Sequence, residues 1–91
     1  MTRPRCCRFI RYQPKVRYFK PQGIPMRHLG VVNLTAEELE ALRLKDFKGL
    51  DQIEAAKKMK TSQSTLQRIL ASARKKVSQA IVEGKAIEIK D

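Results

Sequence analysis

The chain has 91 residues and carries 20 Lys and Arg against 9 Asp and Glu, a formal net charge of +11. That length points to one domain near the lower limit for a self-sufficient core. With 5% aromatic residues and no Trp, the core falls to Leu, Ile, Val, Ala and Met, which suits packed helices.

No apolar run approaches the roughly 20 residues a membrane-spanning helix needs. The basic start is not followed by the apolar stretch of a signal peptide. The expected location is therefore the cytoplasm, with no membrane partner. Cys6 and Cys7 are adjacent; a disulfide between neighbours is strained, so they point to a reducing compartment. The charge is unevenly placed. Residues 1–34 hold eight basic side chains and no acid, residues 35–60 hold six of each sign, and residues 61–91 hold six basic and three acidic. A basic excess of this size is the electrostatic footprint of a nucleic-acid binder.

Residues 1–34 contain all four prolines (Pro4, Pro14, Pro21, Pro25) and Gly23 and Gly30. Proline fixes the backbone and removes a donor, so no long helix fits. This stretch reads as a basic arm, with a short strand at Arg8–Tyr12 and a packed turn over Phe19–Pro25 anchored by Phe19.

From residue 35 the pattern becomes helical. Thr35 and Glu38 form a capping box, and Ala36, Leu39, Leu42 and Phe47 share one face. The first helix is expected over 35–46, ending before Gly49. Asp51 caps a second helix over about 51–59, with Ile53, Ala56 and Met59 inward. Ser62 caps a third, along which Leu66, Ile69, Leu70, Ala73, Val77, Ala80 and Ile81 keep one apolar stripe until Gly84 stops it. The tail, residues 85–91, alternates as a strand, and Arg8–Tyr12 is its expected partner.

The expected fold is mainly α. It has an arm over 1–34, a three-helix helix-turn-helix domain over 35–84, a C-terminal strand over 85–91, and short strands at both ends. The stretch Gln52–Leu70 carries the motif. Its fifth position must be small, because the helices touch there, and is Ala56. Its fifteenth and eighteenth seat the reading helix and are Leu66 and Ile69. Its ninth wants a left-handed backbone and usually carries glycine; here it is Lys60, at a cost of about 1 kcal/mol if that geometry is kept.

The exposed face at the start of the third helix then carries Gln63, Ser64, Gln67 and Arg68, the expected base contacts. Gln pairs bidentately with adenine and Arg with guanine. Ser62, Thr65, Arg74, Lys75 and Lys76 are the expected phosphate contacts, joined by Arg5, Arg8 and Arg11 of the arm. Sequence-specific binding of double-stranded DNA, as a transcriptional regulator, is the expected function.

Cys6, Cys7 and His28 fall short of the four ligands zinc wants, so no metal site is expected. No nucleophile–base pairing, phosphate loop or carboxylate pair is visible. No catalytic residue, enzyme activity or cofactor is expected. A homodimer is expected, because the stripe beyond Leu70 (Ala73, Val77, Ala80, Ile81) and the strand residues Ile87 and Ile89 leave little sequence to cover them. The competing functions are a basic RNA- or ribosome-associated protein, with Phe9, Tyr12, Tyr18 and Phe19 as its aromatic surface, and an adaptor docking on RNA polymerase through the same fold.

Leu34-Thr35-Ala36-Glu37-Glu38, Leu42-Arg43-Leu44, Phe47-Lys48-Gly49-Leu50, Ala55-Ala56, Ser62, Thr65 and Ala73-Arg74-Lys75-Lys76 together resemble region four of bacterial sigma factors and related regulators. Over nearly the whole chain a second set of motifs is more specific. These are Arg3-Pro4-Arg5 with Cys7, Phe19-Lys20-Pro21-Gln22-Gly23-Ile24-Pro25, Glu38 to Asp46, Ala55-Ala56-Lys57-Lys58-Met59, and Gly84-Lys85-Ala86-Ile87-Glu88-Ile89. They resemble an uncharacterised family of short bacterial and archaeal proteins predicted to bind DNA. That family is sometimes linked with proteins resembling dinitrogenase iron–molybdenum cofactor biosynthesis factors. Lys60 and Thr61 depart from its usual turn glycine and apolar neighbour. The resemblance implies a helix-turn-helix and a DNA partner.

Overall fold

Three capped helices follow one another from residue 36 in the computed structural model, which describes residues 16–90. Helix α1 (Ala36–Ala41) opens on the capping box: Thr35 Oγ1 accepts from the Glu38 N–H, and a Glu38 carboxylate oxygen accepts from the Thr35 N–H. It runs on into a wider helical stretch, Leu42–Phe47, where the Lys48 N–H reaches back five residues to the Arg43 carbonyl. Gly49, with φ 76°, reverses the chain. Asp51 caps α2 (Gln52–Lys58) by accepting from the Glu54 N–H, and Ser62 caps α3 (Gln63–Glu83) by accepting from the Thr65 N–H. Gly84, at φ 67°, closes α3.

Strands β1 (Tyr18–Phe19), β2 (Val31–Thr35) and β3 (Ala86–Lys90) form one sheet in the order β1-β3-β2. β3 is parallel to β2, with Leu34 opposite Ile89, and antiparallel to β1, with Phe19 opposite Ile87. A parallel pair needs a long crossover, and here all three helices supply it. The tail strand expected from the alternation is present. Its expected partner, Arg8–Tyr12, lies outside the described residues. The sequence reading missed both other strands: β1, in the stretch read as arm and packed turn, and β2, which overlaps the end of the arm.

α3 is the spine of the molecule. At 21 residues it is roughly 30 Å long, and it packs against two cores. Its first half, through Leu66 and Leu70, joins Ala41, Leu44, Ala55, Ala56 and Met59. Its second half, through Ala73 and Val77, joins Leu34, Ile87 and Ile89 of the sheet, with Leu42 packed against both groups.

Four expectations of burial are corrected. Phe47 is 83% exposed, because the wider turn of Leu42–Phe47 breaks the 3.6-residue period and buries Leu44 instead. Ile53 is 55% exposed, and Ala55, beside the expected Ala56, takes the inward place. Phe19 is 55% exposed and does not anchor its turn. There, Lys20 Nζ donates to the Ile24 carbonyl at 2.7 Å. Of the surface expected to pair two copies, Ala73, Ala80 and Ile89 are buried and Val77 and Ile87 half-buried by the chain's own packing, with only Ile81 left open, at 73%. The sheet is what covers the stripe.

Lys60 has φ 54° and is the one non-glycine residue with positive φ among the described residues. It sits in the link between α2 and α3, where the Thr61 N–H returns to the Ala56 carbonyl at 3.0 Å. A left-handed backbone strains any residue with a Cβ, and β-branched ones most. Lys60→Gly is therefore expected to leave thermal stability unchanged or raise it, whereas Lys60→Val is expected to cost about 1–2 kcal/mol. Equal melting temperatures for the two variants would contradict this turn.

Candidate nucleic-acid interface

The surface that the sequence singles out lies on the first turns of α3. Gln63, Ser64, Gln67 and Arg68 are all exposed: Ser64, Gln67 and Arg68 turn away from Leu66 and Leu70, and Gln63 lies open in the first turn, ahead of the buried part of the apolar stripe. Arg68 makes no ion pair among the described residues. Beside it opens a cavity of about 330 Å³ lined by Thr35, Glu37, Glu38, Thr65, Arg68, Ile69 and Ser72, between the start of α1 and α3. The start of α3 is tied to α2 by the Gln52 side-chain amide, 3.4 Å from the Gln63 carbonyl.

The residues expected to meet phosphates separate into groups. Ser62 and Thr65 work on the helix itself, the Ser62 hydroxyl donating to Thr65 Oγ1 at 2.9 Å while accepting the Thr65 N–H at 3.1 Å. Lys75 is exposed and forms no ion pair among the described residues. Arg74 and Lys76 each hold an acid of the α1 segment. The Arg74 guanidinium forks onto Asp46, Nε to Oδ2 at 3.1 Å and Nη2 to Oδ1 at 2.6 Å. Lys76 Nζ donates to Glu38 Oε1 at 2.9 Å. Arg5, Arg8 and Arg11 lie outside the described residues, as do Cys6 and Cys7. His28 is exposed, and no cluster of His, Cys, Asp or Glu suited to a metal occurs among the described residues.

The two acids differ in setting. Glu38 is buried, and its carboxylate accepts from the Thr35 N–H, from Ser72 Oγ at 2.5 Å and from Lys76. Burial pushes its pKa up, but the bonds from Ser72, Thr35 and Lys76 together outweigh that and hold it below the ordinary value. Asp46 lies at the surface, and the Arg74 hydrogen bonds are the main cause that holds its carboxyl low. Two side chains of α3, Ser72 and Lys76, are one turn apart and converge on Glu38, whereas Arg74 leaves the opposite flank for Asp46. α1 and its extension therefore grip α3 from both sides.

Sequence reasoning found Glu38 as half of a capping box and missed its second role. Ser72 and Lys76, spaced i and i+4 on one helix flank, are the signal that an acid must face them. It also passed over Lys57 and Lys58, which are exposed at the end of α2, next to the turn that leads into α3.

Among the described residues these features define a small, mainly helical domain, with three α-helices, a three-stranded sheet and a polar row displayed at the start of the longest helix. The chain belongs to the family described as "Protein of unknown function DUF134", whose model matches residues 1–91. It is 55% identical over 89 residues to a UPF0251 protein of Thermoanaerobacter pseudethanolicus, covering 98% of this chain and 75% of that one. It is 53% identical over 87 residues to a UPF0251 protein of Halothermothrix orenii, covering 96% of this chain and 64% of that one. With a UPF0251 protein of Dehalococcoides mccartyi it shares 54% identity over 89 residues, covering 98% of this chain and 76% of that one. No solved structure matches the chain. Among the described residues, no helix is long and apolar enough to cross a membrane.

Because the folded pKa of Glu38 is lowered, its bonds stabilise the fold fully above the ordinary glutamate value, and that contribution is lost as pH falls through the lowered folded value. Glu38→Gln is expected to cost about 1–3 kcal/mol near neutral pH, the cost of disrupting a buried charged network. Its stability is also expected to fall less steeply than the parent's on acidification. Parallel curves from chemical denaturation between neutral and acidic pH would show that Glu38 is not held ionised by this network.

Proposed function

We propose that α2, the turn at Lys60 and α3 form a helix-turn-helix that binds double-stranded DNA and reads base edges with the start of α3, as a transcriptional regulator does. The observation that carries the reading is the left-handed backbone at Lys60, held where the motif needs it although the residue is not glycine. Around it, Ala56 is buried at the small fifth position, Leu66 is buried and Ile69 half-buried at the seating positions, and Ser62 caps the reading helix. A sequence that tolerates strain at one backbone position is held there by its surroundings. Here those surroundings are the contacts that aim α3.

The exposed row has the chemistry for the task. Gln63 and Gln67 present amides suited to adenine, and Arg68 a fork suited to guanine. The net charge of +11 supplies the sequence-independent attraction. Lys75, Lys57 and Lys58 flank the row, and Arg5, Arg8 and Arg11 of the arm belong to the same proposal as phosphate contacts. The RNA-binding alternative has less support, because Tyr18 and Phe19 are neighbours on a strand and point to opposite faces. The Tyr18 hydroxyl is moreover bonded to Glu88 at 2.9 Å. A homodimer would double the base contacts across paired half-sites, but the stripe that suggested it is spent inside one chain.

Alanine at Gln63, Gln67 or Arg68 is expected to cost about 1–3 kcal/mol on a preferred duplex and little on random duplex, measured by competition at fixed salt. Equal losses on both duplexes would demote that residue to a phosphate contact. If structured RNA outcompeted every duplex, the RNA alternative would replace the reading.

A further inference from the structure

We propose that Asp46 is a built-in competitor for a phosphate-binding arginine: it holds Arg74 in the free protein and yields it to a backbone phosphate when a duplex seats. The inference rests on the DNA reading above. Arg74 follows Gln67 by seven residues, two helical turns, so it lies on the same side of α3, roughly 10 Å further along the axis. The major groove is about 12 Å wide. A helix that enters it by its first turns brings a side chain two turns on towards the flanking phosphate wall. Arg74 stands where a phosphate contact is wanted, and its guanidinium is already occupied.

The occupation is of an exchangeable kind. Asp46 takes the fork in two bonds, the same planar geometry in which a guanidinium binds a phosphate. One fork serves one partner at a time. The pair is open to water, with side-chain exposures of 52% for Arg74 and 40% for Asp46, and exposed ion pairs contribute little to stability. The other pair gripping α3 contrasts with it. Lys76 is 33% exposed, and its partner Glu38 is 9% exposed and also held by Thr35 and Ser72. Taking Lys76 away would leave a buried carboxylate short of a donor and loosen the α1–α3 seam. Of the two cations, Arg74 alone leaves its acid at low cost. The consequence is a protein that undersells its own charge: until a duplex is seated closely enough to displace Asp46, Arg74 adds nothing to the grip.

The test is a double-mutant cycle on the full chain, with random-sequence duplex DNA as the probe at fixed low salt and thermal melting to check that each variant is folded. Asp46→Asn is expected to tighten binding by about 3- to 5-fold, the scale of an exposed ion pair that no longer has to be broken. In an Arg74→Gln background the same Asp46 substitution is expected to change affinity by less than about twofold, because the residue it restrains is gone. Equal tightening in both backgrounds would mean that Asp46 merely repels DNA, and would overturn the proposal. Unchanged affinity for Asp46→Asn would overturn it too, while leaving the DNA reading intact. Failure of all four proteins to bind duplex would remove the DNA reading, and this role of Arg74 with it.

Discussion

The Glu38 carboxylate, almost withdrawn from water, is the point on which the rest of the structure turns. Its three donors come from different places: the Thr35 N–H at the end of β2, the Ser72 hydroxyl and the Lys76 ammonium on α3. One side chain thereby caps α1, joins α1 to α3 and fixes where β2 ends. A buried carboxylate that loses a partner is left with an uncompensated charge, so these groups are constrained together. One turn further along, Leu42 packs against both apolar clusters, one built with α2 and one with the sheet. Together with the apolar contacts of Leu66, Leu70, Ala73 and Val77, the Glu38 network holds α3 against rotation about its own axis. That roll decides whether Gln63, Gln67 and Arg68 face outwards.

The parts of this architecture that were legible in the sequence are local ones. Asp51, Ser62 and Gly84 act on backbone groups within a few residues of themselves, so the ends of α2 and α3 could be read from composition alone. Lys60 was legible for the same reason: its strain belongs to a turn of fixed length. What was not legible depends on distant partners or on broken periodicity. β2 runs without a turn into the Thr35 cap, so its five residues looked like the approach to a helix. Phe47 fits the apolar face only if every turn has 3.6 residues, and the wider stretch Leu42–Phe47 moves it outwards. The stripe on α3 was read correctly as apolar, but its cover is a sheet whose central strand, β3, lies more than 50 residues along the chain from the strands it pairs with.

The candidate site shows the same division. Exposure of Ser64, Gln67 and Arg68 follows from where they lie on one helix, away from its apolar stripe, and that of Gln63 from its place as the first residue of the helix. The roles of Arg74 and Lys76 do not, because their acids lie 28 and 38 residues away. Read as a list of cations, α3 offered Arg74, Lys75 and Lys76 to phosphates alike. Read in three dimensions, Lys76 belongs to the fold, Lys75 faces solvent, and Arg74 stands between the two. A basic protein does not present its whole charge to a partner. Part of it is committed to keeping α3 in place, and here that commitment falls to the half-buried Lys76–Glu38 pair.

Selection of bound sequences from a pool of random duplexes most directly tests whether the start of α3 reads DNA. The account predicts enrichment of a short motif by the parent chain, and loss of preference at a single position of that motif when Gln67 is replaced by alanine. Recovery of no motif above the starting pool, or of the same motif with Gln67, Gln63 and Arg68 all replaced, would contradict it.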